Sequence, residues 1–188
     1  MARTFARPAG RVDYVRNQSS RRGVKPTLIV LHTTESHERP GRGDVDSIHA
    51  WFDNPESQAS SHVIVDEEAH TTTCVGDLEK AWTQARFNPC ALSIEMIGWA
   101  STPRWRWLKR ERQLKKAAKF AAYWCRKYGI PVQRAVVSQT SATVVKPGIT
   151  GHASLGAAGG GHHDPGEGFP WDRFLRYVKY YRANGWVQ

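Results

Sequence analysis

Residues 151–166 contain three histidines and one aspartate among six glycines. Imidazole and carboxylate side chains can bind a metal or transfer a proton, and a segment so rich in glycine is too flexible to form part of a core. The alternative is a solvated loop whose histidines have no chemical role. His32 favours a chemical role, because it ends the apolar run 28–31, from which a buried strand would bring its side chain to one end of a sheet. The sequence therefore predicts that two distant segments converge on one site.

His32, His152 and Asp164 together form a candidate zinc site. Two imidazole nitrogens and one carboxylate oxygen supply three ligands, which leaves the fourth tetrahedral position open for water. That is the arrangement of a catalytic zinc, whereas a structural zinc is closed by four protein ligands. These residue types therefore predict a catalytic site with Zn²⁺ as its cofactor.

Glu95 is the single charged residue of the apolar segment 91–97. This segment predicts a strand, and Glu95 is then either an edge residue that faces solvent or a carboxylate held in a site. A buried carboxylate costs free energy unless it is paired or hydrogen-bonded. Its position in the middle of the strand therefore favours the second interpretation.

Two further segments allow a functional interpretation. The glycines of residues 156–161 could suggest a phosphate-binding loop, but no Gly-Lys-Ser/Thr follows them and no predicted strand directly precedes them, which argues against it. Residues 99–110 interleave tryptophans with arginines and lysines. Such a segment can stack nucleobases or sugars, line a substrate groove, or form a solvated face held by a few buried tryptophans. The sequence leaves these alternatives open.

The composition limits the class of protein. A chain of 188 residues with 40% apolar residues is typical of a single globular domain. Its net charge of +10 indicates a polyanionic partner, which could be a nucleic acid, an anionic membrane or a bacterial cell wall, and charge alone does not choose among them. The three cysteines are odd in number and show no Cys-x-x-Cys spacing, which excludes a zinc ribbon and argues against a disulfide framework.

Arginines recur through residues 1–25, but these residues contain no apolar stretch typical of a signal peptide. No apolar run in the chain is long enough to predict a transmembrane helix. We therefore expect synthesis in the cytoplasm without a signal peptide. A target outside the membrane would have to be reached by another route.

Apolar segments that alternate with amphipathic ones predict an α/β fold with a mixed β-sheet. The basic residues 1–25 are expected to lie over the domain as an extended arm. We expect Asp44 to cap the first helix, Gly129 to end the second and Pro170 to begin the third. The predicted strands are residues 28–31, 61–66, 71–75, 91–97 and 135–137, and the predicted helices are residues 44–52, 114–128 and 170–184.

Several short motifs also resemble those of one enzyme family. They are Ile29-Val30-Leu31-His32-Thr33-Thr34-Glu35, Ser61-His62-Val63-Ile64-Val65-Asp66, Ala81-Trp82, Leu92-Ser93-Ile94-Glu95, Gly151-His152, His163-Asp164-Pro165-Gly166 and Phe169-Pro170-Trp171. In this order they resemble the zinc-dependent N-acetylmuramoyl-L-alanine amidases, a family that includes phage endolysins and shares its fold with the peptidoglycan recognition proteins. The resemblance extends from about residue 26 to residue 182.

The resemblance implies a central mixed β-sheet flanked by α-helices, with zinc on the open face of the sheet. It implies a single amidase domain over residues 1–188, with the arm at 1–25 and a catalytic core at about 26–182. The family's three zinc ligands correspond to His32, His152 and Asp164, and its strand glutamate, the base that activates water, corresponds to Glu95. Members that only recognise peptidoglycan commonly lack a complete ligand set, whereas all three ligands are present here.

The chain departs from the family pattern at three positions. His162 stands two residues before Asp164, where the family often has a lysine that stabilises the developing oxyanion, and an imidazole N–H can take that role. Ser61 stands where many members have a tyrosine, and Thr83 stands where a histidine is common. The family's substrate contacts therefore do not carry over to Ser61 and Thr83.

The implied reaction is hydrolysis of the amide bond between N-acetylmuramic acid and L-alanine in peptidoglycan. We expect a monomeric phage-type lysin that reaches the wall through a membrane permeabilised by a holin. Peptidoglycan is its expected partner, with neither nucleic-acid binding nor stable membrane insertion. The alternatives are a cytoplasmic amidase that recycles wall fragments and a module that binds peptidoglycan without cutting it. A nucleic-acid-binding protein is a more distant alternative, suggested only by the charge and by residues 99–110.

Overall fold

A six-stranded mixed β-sheet organises the chain in the computed structural model, which describes residues 3–37, 39 and 41–187. The order of its strands is β1-β5-β4-β7-β3-β10, and two further strand pairs, β2 with β6 and β8 with β9, lie outside it. The strands are β1 (Arg11–Val12), β2 (Gln18–Ser20), β3 (Leu28–Thr33), β4 (Val63–Val65), β5 (Thr71–Thr73), β6 (Glu79–Ala81), β7 (Ala91–Met96), β8 (Val136–Val137), β9 (Val144–Lys146) and β10 (Gly148–Gly151).

Four α-helices and three short 3₁₀ helices connect the strands. The α-helices are α1 (Gly43–Asp53), α2 (Arg104–Lys109), α3 (Glu111–Tyr128) and α4 (Trp171–Asn184), and the 3₁₀ helices are Pro55–Ser57, Ala85–Cys90 and His152–Gly159, all within the described residues. This mixed sheet with flanking helices confirms the predicted fold class.

Four neighbouring strands, β4, β7, β3 and β10, run parallel to one another, and β5 runs antiparallel to β4. The carboxyl ends of parallel strands meet at the same edge of a sheet. The β3–β7 register places His32 beside Glu95, and β10 ends at Gly151 opposite Leu31, directly before His152. The strand pairing therefore delivers three candidate residues to one edge.

Different helices pack on the two faces of the sheet. Leu92, Ile94 and Met96 point to one face, where they pack with helices α3 and α4 in the largest apolar cluster. The alternate positions of β7 and β3, such as Ala91 and Val30, point to the other face, toward the 3₁₀ helices at 85–90 and 152–159. Glu95 shares this second face, which explains a charged residue in an apolar strand.

Most of the predicted elements are confirmed, with boundaries shifted by a few residues. The turn at 67–70 lacks a glycine, and Ala69 adopts the left-handed conformation that the turn requires, with φ of 72°. Gly129 ends α3 in the left-handed conformation, as predicted (φ 72°). Pro170 immediately precedes α4.

Two predictions were wrong, and several elements were not predicted. Asp44 does not cap α1, because it lies in the first turn, where its carboxylate accepts hydrogen bonds from the backbone and side chain of Arg39. The glycine-rich segment 151–166 is not too flexible to form part of the core, since its 3₁₀ helix His152–Gly159 places Leu155 and Ala158 in a buried apolar cluster. Strands β9 and β10, which follow Val137, were not predicted. Helix α2 was not predicted within residues 99–110.

The described part of the arm, residues 3–25, contributes strands to the domain. Strand β1 pairs with β5 at the sheet edge, and β2 pairs with β6. Arg21 at the end of the arm is only 4% exposed and donates hydrogen bonds to the carbonyl oxygens of Pro89 and Ala91. The arm is therefore an integral part of the fold.

None of the described helices has the length and apolar character needed to cross a bilayer.

His62, which directly precedes β4, is fully buried beside Arg21. Burial is the largest cause that lowers the pKa of His62, the positive charge of Arg21 lowers it further, and it falls from 6.5 to about 3. The ring is therefore neutral in the folded protein throughout the ordinary pH range.

We predict that His62 makes folding less favourable in acid. Between pH 6.5 and 3 the unfolded chain binds a proton at His62 that the folded chain excludes, so this contribution to the free energy of unfolding falls as the pH is lowered, by roughly 1.4 kcal/mol per pH unit. Urea titrations of the wild type and His62→Gln at pH 7 and pH 5 measure it. The difference in unfolding free energy between the two proteins should shrink by roughly 2 kcal/mol at pH 5, and a difference independent of pH would contradict the prediction.

Candidate active site

The three predicted ligands come together from three parts of the chain. His32 is the penultimate residue of β3, His152 follows β10, and Asp164 lies in the loop that leads to α4. One ligand atom from each of these residues lies within 4.8 Å of the other two. All three side chains are buried, and no other such group of metal-ligand side chains occurs among the residues described.

The carboxylate of Asp164 lies between the two imidazole rings. Its Oδ2 is 3.2 Å from Nδ1 of His32, and its Oδ1 is 3.3 Å from Nδ1 of His152. The backbone N–H of Thr33 donates a third contact to Oδ2 at 3.3 Å. The two rings themselves meet edge to face, with centroids 4.5 Å apart. Both Nδ1 atoms thus face the same carboxylate.

The hydrogen bond of His152 tests whether this arrangement fits a metal. Its Nε2 lies 2.7 Å from the carbonyl oxygen of Gly159, which can only accept, so Nε2 carries the proton. In the neutral ring Nδ1 then presents a lone pair to the carboxylate of Asp164, an unfavourable contact unless a cation lies between them. Two imidazoles and a carboxylate form a typical donor set for zinc. The residues therefore fit a zinc ion.

The pKa shifts agree with this assignment. Burial alone would raise the pKa of Asp164, but the two neighbouring imidazoles outweigh burial and hold the pKa well below its usual range. Burial lowers the pKa of His32 from 6.5 to about 4, despite the opposing effect of Asp164. At neutral pH the site therefore offers a carboxylate anion and a neutral His32 ring, which are the protonation states that metal binding requires.

Gln84 is a residue beside the site that sequence reasoning missed. Its side chain acts on the ring of His32 as a hydrogen-bonding group that raises the pKa. Gln84 is completely buried, and among the described residues neither its amide atoms nor Nε2 of His32 has a hydrogen-bond partner. No motif marks Gln84, because a lone glutamine in a polar segment carries no functional signal.

Glu95 lies beside His32 in the neighbouring strand and is 7% exposed. Burial is the main cause that raises its pKa well above the ordinary value, and the charges of Asp164 and Glu35 raise it further. Its side chain lines the same cavity as the three ligands. The structure thus brings Glu95 to the site, as the mid-strand position suggested.

His162 and His163 both line this cavity. The ring of His162 stacks on that of His152, with centroids 4.2 Å apart and planes inclined by 15°. His163 is largely exposed, and its Nε2 lies 4.0 Å from Oε2 of Glu35. Successive side chains in an extended segment point in opposite directions, which explains why only His162 contacts a predicted ligand.

The cavity has a volume of about 280 Å³ and opens to solvent. Ile48, Trp51 and Phe52 make part of its lining apolar and aromatic, and residues such as Ser60 and Thr83 make another part polar. Besides the residues already described, its lining comprises Thr33, Thr34, Ile48, Trp51, Phe52, Ala59, Ser60, Trp82 and Thr83. Glu35 also belongs to the lining and was not predicted, and its Oε1 accepts hydrogen bonds from Thr33 Oγ1 at 2.6 Å and the backbone N–H of Ala100 at 2.8 Å.

The aromatic and basic residues 99–110 do not act as one surface. Trp107 is fully buried against Arg110 and Phe169, whereas Trp105 is 60% exposed beneath Lys109. Trp99 alone among these tryptophans reaches a groove that adjoins the site, and it shares that groove with Glu35. A role in lining a substrate groove therefore stays a prediction, and within this segment it is restricted to Trp99.

Two glycines allow the ligand loop to approach the sheet. A Cβ atom on Gly151 would lie 2.6 Å from Cδ of Pro165, next to Asp164. Gly166 has φ of 80°, and a Cβ there would collide with the carbonyl oxygen of Ala100. The loop can thus bring Asp164 to the end of β3 only with glycine at both positions.

The sequence and the fold of this chain are similar to those of known proteins. A family model described as N-acetylmuramoyl-L-alanine amidase (Amidase_2) matches residues 22–167, which is most of the chain. No curated protein matches the chain in sequence.

Several solved structures share the fold. The hydrolase AmiA of Staphylococcus aureus, solved with its ligand, is 19% identical with a TM-score of 0.69, and the alignment covers 94% of this chain and 84% of AmiA. A selenomethionine derivative of AmpD is 19% identical with a TM-score of 0.68, covering 95% and 99% of the two chains. The endolysin amidase LysCS of Clostridium intestinale is 14% identical with a TM-score of 0.64, covering 94% and 99%.

We predict that the purified protein binds one zinc ion and that His32→Ala greatly weakens binding. Loss of one of three ligands should lower the affinity by more than the ~10–100-fold typical of residues that only support a ligand. Competition with a chromophoric chelator measures the affinity, and elemental analysis gives the stoichiometry. His70→Ala is the matched control, because His70 pairs with Asp66 away from the cavity. Full zinc occupancy in His32→Ala would refute the ligand assignment.

Proposed function

The chain belongs to the N-acetylmuramoyl-L-alanine amidase family, and from this premise we propose that it cuts the amide bond between N-acetylmuramic acid and L-alanine in peptidoglycan, using zinc held by His32, His152 and Asp164. The single observation that carries the proposal is the buried group of two imidazoles and one carboxylate at the end of parallel strands. A closed structural site would have a fourth protein ligand.

Zinc in such a site supplies Lewis acidity, which polarises the scissile carbonyl and lowers the pKa of water toward ~7. The protein's own part is to hold that metal, to position the substrate and to move protons. Glu95 is suited to the last task, because its carboxylate lines the cavity and burial raises its pKa. It takes a proton from the attacking water and passes it to the leaving amine of L-alanine.

His162 is the proposed donor to the oxyanion that develops on the scissile carbonyl. Its stacking on His152 keeps the ring within the cavity and next to a ligand. Burial, followed by the charge of His152, lowers the pKa of His162. At neutral pH the donor is therefore a neutral imidazole N–H, which can stabilise an oxyanion without carrying a charge.

A phage-type lysin is the biological role that we propose first. The net charge of +10 suits a polyanionic cell wall, and the structural relatives include endolysins. In this role the protein would reach the wall through a membrane permeabilised by a holin. The second candidate is an enzyme that recycles wall fragments in the cytoplasm, and the similarity to AmpD over 95% of the chain favours it.

The choice of substrate separates these roles. A lysin should clear a suspension of intact cell wall, whereas a recycling amidase should act on soluble muramoyl peptides and leave the suspension turbid. A module that only binds peptidoglycan would do neither, and its binding would survive a chelator. Mass spectrometry of the products identifies the bond that is cut.

We predict that Glu95→Gln lowers the turnover number on the order of 10²–10⁴-fold, because the amide keeps the shape of the side chain but cannot accept the proton. Zinc content should remain that of the wild type, since Glu95 holds no metal in this proposal. Glu56→Gln is the control, because Glu56 is exposed and does not line the cavity. A near wild-type rate for Glu95→Gln would show that Glu95 is structural.

We further predict that His162→Ala lowers the turnover number about 10²–10³-fold, the usual effect of losing one donor to an oxyanion. His162→Lys should recover much of the activity, because an ammonium group can donate the same hydrogen bond. His163→Ala should have a smaller effect, since His163 faces Glu35. The role of His162 fails if His163→Ala is the more damaging change at full zinc occupancy.

A further inference from the structure

One part of the cavity lining, which consists of Ser60, Trp82 and Thr83 and which we call the substrate wall, connects to the N-terminal arm through buried side chains. Ser60, Trp82 and Thr83 line the cavity, and Arg21 lies at the end of the arm. Between them lie His62 and Ser93, which are both completely buried. None of the proposed catalytic steps uses these two residues.

Four contacts join Arg21 to the wall. Nη2 of Arg21 is 2.9 Å from Nε2 of His62, and Nδ1 of His62 is 2.9 Å from Oγ of Ser93. Oγ of Ser93 is 3.1 Å from Oγ1 of Thr83, which in turn makes a short hydrogen bond to the carbonyl oxygen of Ser60. Each contact is short enough for a hydrogen bond.

The groups at the two ends of this hydrogen-bond network, Arg21 and Ser60, fix the direction of its hydrogen bonds. A guanidinium group can only donate, so Nε2 of His62 accepts and the ring proton lies on Nδ1. Nδ1 then donates to Ser93. At the other end a carbonyl oxygen can only accept, so Thr83 donates to Ser60 and Ser93 must donate to Thr83. The two assignments agree along these four contacts. They compete with a fifth contact, in which the backbone N–H of Ser93 points at Nδ1 of His62 from 3.1 Å, and the charged donor of Arg21 at 2.9 Å is the stronger of the two.

The other tautomer of His62 conflicts with Arg21. A proton on Nε2 could reach the carbonyl oxygen of Glu79 at 3.2 Å, but it would also point at the donors of Arg21. A doubly protonated ring is excluded as well, because burial and the charge of Arg21 hold the pKa of His62 at about 3. Without Arg21, the carbonyl oxygen of Glu79 and the backbone N–H of Ser93 would both favour the proton on Nε2.

We propose that Arg21 is a positioning residue for the substrate wall: it selects the Nδ1–H tautomer of His62, so that the Ser93 hydroxyl group donates to Thr83 and not to the ring. Arg21 acts only through other residues and does not touch the substrate. A network that merely stabilised the fold would not need to end at the cavity. The arm supports the same wall a second time, because Ser19 accepts a hydrogen bond from Nε1 of Trp82 at 3.0 Å.

The direction of these hydrogen bonds determines whether Thr83 can act as a donor or an acceptor toward a ligand. The hydrogen of Thr83 Oγ1 is directed to Ser60, and one lone pair accepts from Ser93, which leaves one lone pair and no free hydrogen. Thr83 therefore meets a substrate as an acceptor only. Given the proposed function, the matching groups are amide N–H donors of the muramoyl peptide near the bond that is cut.

The tautomer of His62 is the first test, and it does not depend on activity. Two-dimensional ¹H–¹⁵N spectra of the histidine rings distinguish a protonated Nδ1 from a protonated Nε2. We expect Nδ1–H in the wild type and in Arg21→Lys, because lysine can also only donate, and Nε2–H in Arg21→Met. Nε2–H in the wild type would overturn the proposal without any variant, and so would Nδ1–H retained in a folded Arg21→Met.

Kinetics on a soluble muramoyl peptide test the effect on the wall. Arg21→Met, Ser93→Ala and Thr83→Val should each raise KM on the order of tenfold, the value of about one hydrogen bond, with a smaller change in kcat and unchanged zinc content. Thr83→Ser should keep the wild-type KM. Because Arg21 acts through Ser93, the double variant should be no worse than either single one.

Arg16→Met is the matched control for loss of an arm arginine, because Arg16 pairs with Asp53 outside this chain of contacts. Its KM should equal that of the wild type. Additive effects of Arg21→Met and Ser93→Ala, or an unchanged KM in Thr83→Val, would overturn the proposal. If Arg21→Met does not fold, the wild-type tautomer and the Thr83 variants still decide it. An inactive wild type with an Nδ1–H ring at His62 would count against the proposed function and not against the hydrogen-bond chain.

Discussion

The parallel pairing of β3 with β7 and β10 is the constraint on which the site depends. Hydrogen bonds between these strands fix His32 beside Glu95 and bring His152 in from the next strand. A shift of one residue would turn each of these side chains to the opposite face, against helices α3 and α4. The packing of that face with apolar side chains opposes such a shift, so the core on one side of the sheet secures the chemistry on the other.

The buried polar groups on the face of the sheet that carries the site are stabilised by contacts with one another. Asp164 is buried between two imidazoles, and Arg21 is a buried cation whose guanidinium donates to carbonyl oxygens and to His62. Charges in such places are tolerated only when their hydrogen bonds are made. Removal of one partner therefore affects its neighbours as well, which links the arm to the cavity wall.

Sequence reasoning succeeded where a local pattern was sufficient. Strands β3 and β7 are short apolar runs, and α3 has a helical repeat of apolar residues that ends at Gly129, so their types follow from local chemistry. Strand β10 has no such pattern, because Gly148–Gly151 contains one apolar side chain, Ile149, between glycines. It becomes a strand only through its pairing with β3. The same holds for the short strands of the arm.

The sequence by itself determined the family, the α/β class and the candidate ligands, because metal-binding residue types are few and their motifs survive as short local patterns. It placed Glu95 as a polar residue in an apolar strand. Only the tertiary structure decided that Gln84 lies beside His32, that His162 stacks on His152, and that Arg21 reaches the cavity wall through His62. Those contacts join residues far apart in sequence, and their partners are ordinary polar side chains whose roles arise from burial and direction of hydrogen bonding.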